Sequence, residues 1–419
     1  MKRFIQISGI FRLPPQLAFG GLFVLLGTMV SNVSAYAYHL FVGRILGPAK
    51  YGELLSIISI LYLLGVMTLV LQTVFVKFFS ISKAQNNISE ARFLFFYFIK
   101  NIGIGLILFL FIAAGAAYPL SGFLHLASPR FIFWAYGIFA LTSLFTINVS
   151  VLQGFQMFFW FGFFSAIPSV FRLVFSIPLS YYGIEWTMLA SLFATFVSYV
   201  FCFYPIRFLF WSNAKKLQIS KNQIIFYSIP TFFAVLGITS FYTMDIVFAR
   251  HFLSSEDAGI YAAVTTLGKI IFYATSAVTL VIFPKIAERK EKKLPTRKLT
   301  LQGGGIISVV SLALAGMYAA FPHQISNALY GLSFIKAWKY LGSFAVFMSL
   351  FSLTYYVVMV CLAEGKKQIW IAPVVGAGLQ LALLWRYHID IPSIISVNSV
   401  VCAATLVATL ITYAYGKTK

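Results

Sequence analysis

The stretch 41–56, FVGRILGPAKYGELLS, lies between two long apolar runs and carries the polar residues of a tight hairpin. Proline has no amide hydrogen and disfavours helix in the residue before it, so Gly47-Pro48 is expected to end the first helix. Gly52 is expected to free the backbone where the next helix starts. The pattern predicts two membrane-length helices joined by a short turn.

A related stretch, RHFLSSEDAGIYA at 250–262, occurs in the second half of the chain. In each copy an arginine, Arg44 or Arg250, closes an apolar run, and a glycine follows eight or nine residues later. A second pair of turns, LQGFQ at 152–156 and AEGKK at 363–367, follows in the same order. Agreement in order and spacing indicates an internal duplication.

The composition indicates a membrane protein, because 60% of the residues are hydrophobic, the mean hydropathy is +0.90 and only 10% are charged. A membrane-spanning helix needs about 20 apolar residues. Twelve stretches meet this requirement: 17–43, 54–79, 92–117, 130–152, 161–182, 186–210, 223–250, 259–286, 301–320, 337–362, 369–388 and 392–415. We therefore predict an all-α polytopic protein with about twelve transmembrane helices.

The basic residues define an orientation. If the N-terminus is cytoplasmic, 21 lysines and arginines lie on that side and 7 on the other, so the positive-inside rule places both termini in the cytoplasm. The net charge of +21 is then explained by topology, and no nucleic-acid partner is expected. Six helices per half enter from the same side, which predicts two lobes, 1–210 and 223–419, related by a parallel repeat and joined by a cytoplasmic linker, 211–222.

Enzymatic activity is disfavoured, including that of a membrane-embedded glycan ligase or polymerase. The ten acidic residues form no paired-carboxylate motif within one helix, and the chain has no Gly-x-x-x-x-Gly-Lys-Ser/Thr loop for ATP. The three cysteines show no metal-like spacing. We expect neither a cofactor nor a bound metal.

Three motifs carry a family resemblance. Arg44 to Pro48 followed by Tyr51-Gly52 resembles the signature after the first helix of polysaccharide and O-antigen flippases of the multidrug, oligosaccharidyl-lipid and polysaccharide (MOP) exporter superfamily. The second-half run from Asp245 to Arg250 with Ala258 to Tyr261, and the run Val281 to Pro284, are similar to that family's second-lobe pattern.

The resemblance implies a MATE-like fold and a function. Two lobes would alternately open a central cavity to each side of the cytoplasmic, or inner, membrane. The cargo would be a polyprenyl-diphosphate-linked oligosaccharide, moved from the cytoplasmic to the outer leaflet during synthesis of a cell-surface polysaccharide such as O-antigen. Membrane lipids and the glycan polymerase and ligase machinery would be the partners.

Charges inside the membrane are the first candidates for contact with the cargo, because they are costly there. Arg172 lies near the centre of the fifth predicted helix, and its guanidinium is suited to binding the diphosphate. Lys269 lies in the eighth, where an ammonium facing a cavity and an ion pair with Asp245 are equally favoured. Asp245 is also a candidate for ion coupling.

Two further groups remain open between structural and functional roles. Arg44 and Arg250 close helices one and seven, either as interfacial anchors or in a gate or exit site. Asn32, Tyr36 and His39 share one helical face, where they would either bind sugar hydroxyls or pack against a neighbouring helix.

A cation-coupled multidrug exporter of the same superfamily is the alternative function. Such exporters depend on membrane-embedded carboxylates, whereas here Asp245 is the only acid clearly within a predicted helix and the first lobe has none. Basic membrane charges suit an anionic cargo, so the lipid-linked glycan is favoured.

Overall fold

The computed structural model describes residues 15–211 and 232–415, and these ranges contain helices and turns with no β-strand. In chain order the α-helices are α1 (Pro15–Ala84), α2 (Ile88–Phe123), α3 (Arg130–Gly154), α4 (Phe158–Ser180), α5 (Ile184–Phe201), α6 (Phe203–Ile206), α7 (Phe232–Phe241), α8 (Met244–Phe252), α9 (Ser255–Glu291), α10 (Arg297–Ala320), α11 (Pro322–Tyr330), α12 (Trp338–Ala363), α13 (Ile371–Arg386) and α14 (Ile391–Tyr415). Short 3₁₀ helices cover Arg207–Trp211, Leu332–Ala337 and Lys367–Trp370.

The hairpin predicted at 41–56 is formed by a break in the helix α1 at a single residue, Gly47. Gly47 has φ 72° and ψ 173°, in the left-handed half of backbone space that only glycine adopts without strain, and the residues on both sides are helical. A Cβ added to Gly43 would lie 3.4 Å from the Tyr51 ring, so the chain folds back on itself here. Gly47 thus divides α1 into two arms, 15–46 and 48–84.

The number of membrane helices agrees with the prediction of about twelve. Ten helices of the described residues are long and apolar enough to cross a membrane, or eleven when the bent pair α7 and α8 counts as one span. The first of the ten, Phe23–Ala84, contains both arms of α1, each of which corresponds to one predicted span. The 44° bend between α7 and α8 lies within predicted span 223–250, whose first part is outside the described residues.

Helix-end turns recur at equivalent places in the two halves. A residue with positive φ follows the helix, as is common at helix C-termini. The pairs are Asn86 and Lys293, His125 and Gly331, and Gln156 and Gly365, whose numbers differ by 207, 206 and 209. After α3 the Gln156 and Met157 amides donate to Gln153 and Leu152, and after α12 the Gly365 and Lys366 amides donate to Leu362 and Cys361. The predicted turns 152–156 and 363–367 therefore share one backbone geometry.

The described residues form two compact units. Unit 1 contains 15–39, 68–115 and 136–211, and unit 2 contains 40–67, 116–135 and 232–415. The segment around Gly47 and the end of α2 thus belong with the second half of the chain. The lobe boundaries at 210 and 223 remain a prediction, and linker 211–222 falls outside the described residues except for Trp211.

Candidate functional site

Lys269 is a buried cation between aromatic rings in unit 2. Its side chain on α9 is 6% exposed, and its Nζ lies 5.5 Å from the ring centroid of Tyr62 and 5.1 Å from that of Tyr242. Among the described residues no carboxylate oxygen lies within 4.0 Å of this ammonium and no hydrogen bond holds it. Cation–π attraction and the Coulombic attraction of Asp245 partly compensate the desolvated charge.

Asp245 has its own buried hydrogen-bond partners and makes no direct ion pair with Lys269, although the two opposite charges attract each other. The Tyr261 hydroxyl donates to Oδ2 at 2.7 Å, and the Ile246 amide donates to Oδ1 at 2.9 Å. The carboxylate is fully buried. Asp245 therefore acts on Lys269 electrostatically without a direct contact, and both roles predicted for Lys269 stay predictions.

The network around Asp245 extends through two amide side chains. Asn398 Nδ2 donates to the Tyr261 hydroxyl at 3.2 Å, and Gln380 Nε2 donates to Asn398 Oδ1 at 2.9 Å and to the Phe241 carbonyl at 3.0 Å. Gln380 Oε1 is buried and accepts no hydrogen bond from the described residues. The network joins α8, α9, α13 and α14 around one carboxylate and leaves one acceptor free.

Arg172 lies at a helix contact in unit 1. Its guanidinium carbon is 4.4 Å from the centroid of the Tyr38 ring, and its Nε is buried without an acceptor among the described residues. Close approach of α4 to the first arm of α1 brings these side chains together. The Ser31 and Ser169 hydroxyls are 2.9 Å apart, and a Cβ on Gly27 would lie 2.6 Å from the Gly162 carbonyl carbon. Arg172 thus has donors available for an anionic ligand.

The predicted polar stripe on α1 differs in exposure along its length. Asn32 is exposed, Tyr36 is half-buried and His39 is 7% exposed. The tyrosine and the histidine have partners in the structure. The sugar-binding role of the stripe stays a prediction.

Arg44 binds the end of another helix in unit 2. Its Nε donates to the Leu329 carbonyl at 2.8 Å, and its Nη2 donates to the Ala328 carbonyl. These carbonyls belong to the last turn of α11, where they have no partner within the helix. A guanidinium presents several donors in a fixed fork and places positive charge at the negative end of the helix dipole.

Arg250 makes the reciprocal contact. Its Nε donates to the Leu124 carbonyl at 3.0 Å and its Nη2 to the His125 carbonyl at 2.7 Å, just beyond the end of α2. His251 Nδ1 bonds the Phe123 carbonyl at 2.5 Å. We call the contacts of Arg44 and Arg250 the two arginine clasps. The first arginine is exposed, whereas the second is 5% exposed.

The backbones of α1 and α9 touch beside the clasps. A Cβ on Gly52 would lie 2.7 Å from the Gly259 nitrogen, and a Cβ on Gly259 would collide with the Pro48 carbonyl. The prediction that Gly52 frees the backbone at a helix start is wrong, because it lies inside the second arm of α1 with helical dihedral angles. Both repeat-related glycines are required by close packing instead.

Sequence reasoning missed several residues of these sites. Glu53 was placed outside the membrane helices, but it lies in the second arm of α1, is 6% exposed and accepts the Ala127 amide at 2.6 Å. Gln380 and Asn398 are single amides within apolar helices, and this pattern marks them as candidates for a buried network. The Tyr62 ring beside Lys269 has no such mark, because tyrosines are frequent throughout the chain.

These features define a polytopic helical membrane protein of the MATE-like fold, with buried cations and paired helix-end clasps. No family model and no curated protein matches the chain. Among solved structures, the lipid II flippase MurJ in an inward closed conformation superposes with a TM-score of 0.72 at 12% identity, over 94% of this chain and 87% of that one. An inward-facing multidrug resistance MATE family transporter of the MOP superfamily gives 0.69 at 14% identity, over 93% of both chains.

A third structure, a mutant of the Vibrio cholerae MATE transporter VcmN, gives a TM-score of 0.68 at 16% identity over 95% of both chains. These likenesses establish the fold.

Proposed function

We propose that this chain is a flippase of the MOP superfamily that moves a polyprenyl-diphosphate-linked oligosaccharide across the cytoplasmic membrane. The observation that carries the proposal is the buried ammonium of Lys269, which makes no direct contact with a carboxylate of the described residues, although Asp245 attracts it electrostatically. A buried cation without a directly contacting carboxylate favours an anionic cargo. Arg172, whose buried Nε has no acceptor in the part of the chain that the structure describes, supports the same cargo class from unit 1.

The two arginine clasps support an alternating-access mechanism. They hold the ends of α2 and α11 against helices that carry the repeat-related arginines. By the predicted orientation this end faces outward, with both termini in the cytoplasm. In this proposal the clasps close the outer end while the cargo enters from the cytoplasmic side, and they release to let the glycan leave. A glycan polymerase or ligase would then receive the product.

The Asp245 network supports coupling to a cation. A buried carboxylate in the same hydrogen-bond network as an amide oxygen that has no donor among the described residues is suited to take up a proton or a monovalent ion. In Asp245→Asn the Tyr261 hydroxyl keeps an acceptor, so the fold should persist while transport loses its dependence on proton or sodium gradients. Gradient dependence equal to that of the wild type would exclude this role.

Reconstituted vesicles test the proposed function. A fluorescent polyprenyl-diphosphate oligosaccharide is incorporated, and an impermeant glycosidase reports how fast the glycan changes leaflet. Loss of a charged hydrogen-bond donor should slow flipping at least about tenfold in Lys269→Gln and in Arg172→Gln. Lys336→Gln is the matched control, since its ion pair with Glu256 is solvent-exposed.

Wild-type flipping by both variants would reject these residues as cargo contacts. Transport of a cationic dye without any glycan flipping would move the protein to the drug-exporter alternative. Deleting the gene in its host, followed by mass spectrometry of accumulated lipid-linked intermediates, identifies the glycan.

A further inference from the structure

The outer surface of α9 and α10 carries a groove of about 910 Å³. Its walls are mostly apolar, including Val281 and Ile306, which are 56% and 49% exposed, and Val309, which is 68% exposed. Lys285 and Gln302 line the same groove. Exposed apolar side chains of this size mark a surface that contacts lipid or another apolar partner.

Two glycines of the run 303–305 differ in their surroundings. Gly303 faces inward, where a Cβ would lie 2.8 Å from Tyr356 Cζ, so α10 and α12 pack closely at this point. Gly305 lines the groove, and a Cβ there would meet no atom within 4 Å. The inward glycine lets the helix approach its neighbour, and the outward glycine leaves space on the other side.

The length of the groove matches one leaflet of a bilayer. It extends from Ala277 to Lys285 on α9 and from Leu299 to Val310 on α10. At 1.5 Å per residue these segments are about 12 and 16 Å long, close to half of a hydrocarbon core of about 30 Å. One acyl chain fits this depth, whereas a long polyprenyl chain would extend beyond the groove.

The charge at one end selects the head group. The segment 285–298 contains seven basic and two acidic residues, and Lys285 lies at the groove itself. By the positive-inside rule this end faces the cytoplasm, where anionic head groups attract basic residues. We propose that the groove is a binding site for an anionic phospholipid of the cytoplasmic leaflet, with one acyl chain between α9 and α10 and the phosphate near Lys285.

Photocrosslinking in vesicles tests this site. The full chain is reconstituted in phosphatidylcholine containing a trace of phosphatidylglycerol that carries a diazirine in its acyl chain, and crosslinks are mapped to peptides. We expect labelling within 277–310, and the same diazirine on phosphatidylcholine should label this segment about fivefold less. Lys285→Gln should lower phosphatidylglycerol labelling by a similar factor.

Glycine substitutions separate the groove from the rest of the helix. Gly305→Leu fills the groove and should remove the crosslinks. Gly316→Leu is the matched control, because it adds the same side chain to α10 at an open position outside the groove and should leave labelling unchanged. Equal thermal unfolding of both variants shows that each is folded.

Three results would overturn the proposal. Equal labelling by the two phospholipids would show that the groove does not select charge, and unchanged labelling in Gly305→Leu would place the lipid elsewhere. Displacement of phosphatidylglycerol by an equal amount of long-chain polyprenyl phosphate would assign the groove to the carrier lipid. None of these results depends on whether the protein flips a glycan.

Discussion

Replacement of Arg250 by glutamine should open the end of the protein that the second arginine clasp holds. The arginine donates to the Leu124 and His125 carbonyls and is 5% exposed. A hydrogen bond to a charged group contributes about 1.5–3 kcal/mol, and a cation at a helix C-terminus adds a further favourable interaction. Since glutamine keeps one donor, we take the loss as about 3 kcal/mol, which shifts the opening equilibrium about 150-fold.

Labelling of a buried cysteine measures this opening. Ala262 is fully buried on α9, three residues after Gly259, so we expect a cysteine there to react with an impermeant maleimide on intact cells only when the end opens. The native cysteines, Cys202, Cys361 and Cys402, are free and buried and are replaced first. The labelling rate should rise by up to about 150-fold in Arg250→Gln. It should rise less in Arg250→Lys, which keeps the charge but lacks the forked donors of the guanidinium.

Arg44 and Lys336 provide the comparisons. Because Arg44 is exposed, its loss should raise the labelling rate only about fivefold. Lys336→Gln removes a surface ion pair and should leave the rate unchanged. A rate in Arg250→Gln equal to that of the parent would show that the arginine is an anchor and not part of a gate.

Three further changes should have measurable effects. Gly52→Ala places a Cβ 2.7 Å from the Gly259 backbone and should raise the labelling rate of the cysteine at position 262, because overpacking costs about 1–3 kcal/mol. Gly65→Ala, in open space on the same helix, should leave that rate unchanged, and equal rates in the two variants would contradict close packing at Gly52. Ser254→Ala removes the hydroxyl that caps α9 through the Asp257 amide and should lower the unfolding free energy by about 1 kcal/mol in thermal melts, and an unchanged melt would exclude the cap. Hydrogen bonds from Ser393 lower the pKa of Asp390, so the stability that the Asp390 carboxylate contributes is present above the ordinary aspartate pKa and should be lost as pH falls through the lowered pKa. If Asp390→Ala loses stability with falling pH as the wild type does, this contribution is refuted.

The sequence predicts the fold better than it predicts the contacts. Hydropathy predicts the number of membrane-spanning helices because each such helix must be long and apolar by itself. The predicted duplication is only weakly visible in the amino-acid sequence. Three residues with positive φ in the first half are Asn86, His125 and Gln156, whereas the residues at the equivalent positions of the second half are Lys293, Gly331 and Gly365. Backbone geometry is shared where side chains have diverged.

The candidate site depends on contacts between residues far apart in the chain. Arg44 and Arg250 were identified as a pair from their equivalent positions, but nothing in the sequence shows that each binds carbonyls some 125 to 285 residues away. Asp245 likewise accepts a hydrogen bond from Tyr261, 16 residues away in the chain, and makes no direct contact with Lys269. The charges could be predicted, whereas their partners required the structure.

The reciprocity of the two clasps constrains how such a chain arose. In a symmetric parallel dimer of an ancestral half-chain, a single arginine would make both contacts. The arginine of each copy would bind the helix end of its partner that corresponds to the ends of α2 and α11 here. One mutation would then have broken both arginine contacts, and neither contact could have changed alone. Fusion of two copies removes that restriction, and the exposed Arg44 and the buried Arg250 differ as separately evolving residues are expected to differ. In a chain made of two fused copies, the strength of one clasp can therefore change without altering the other.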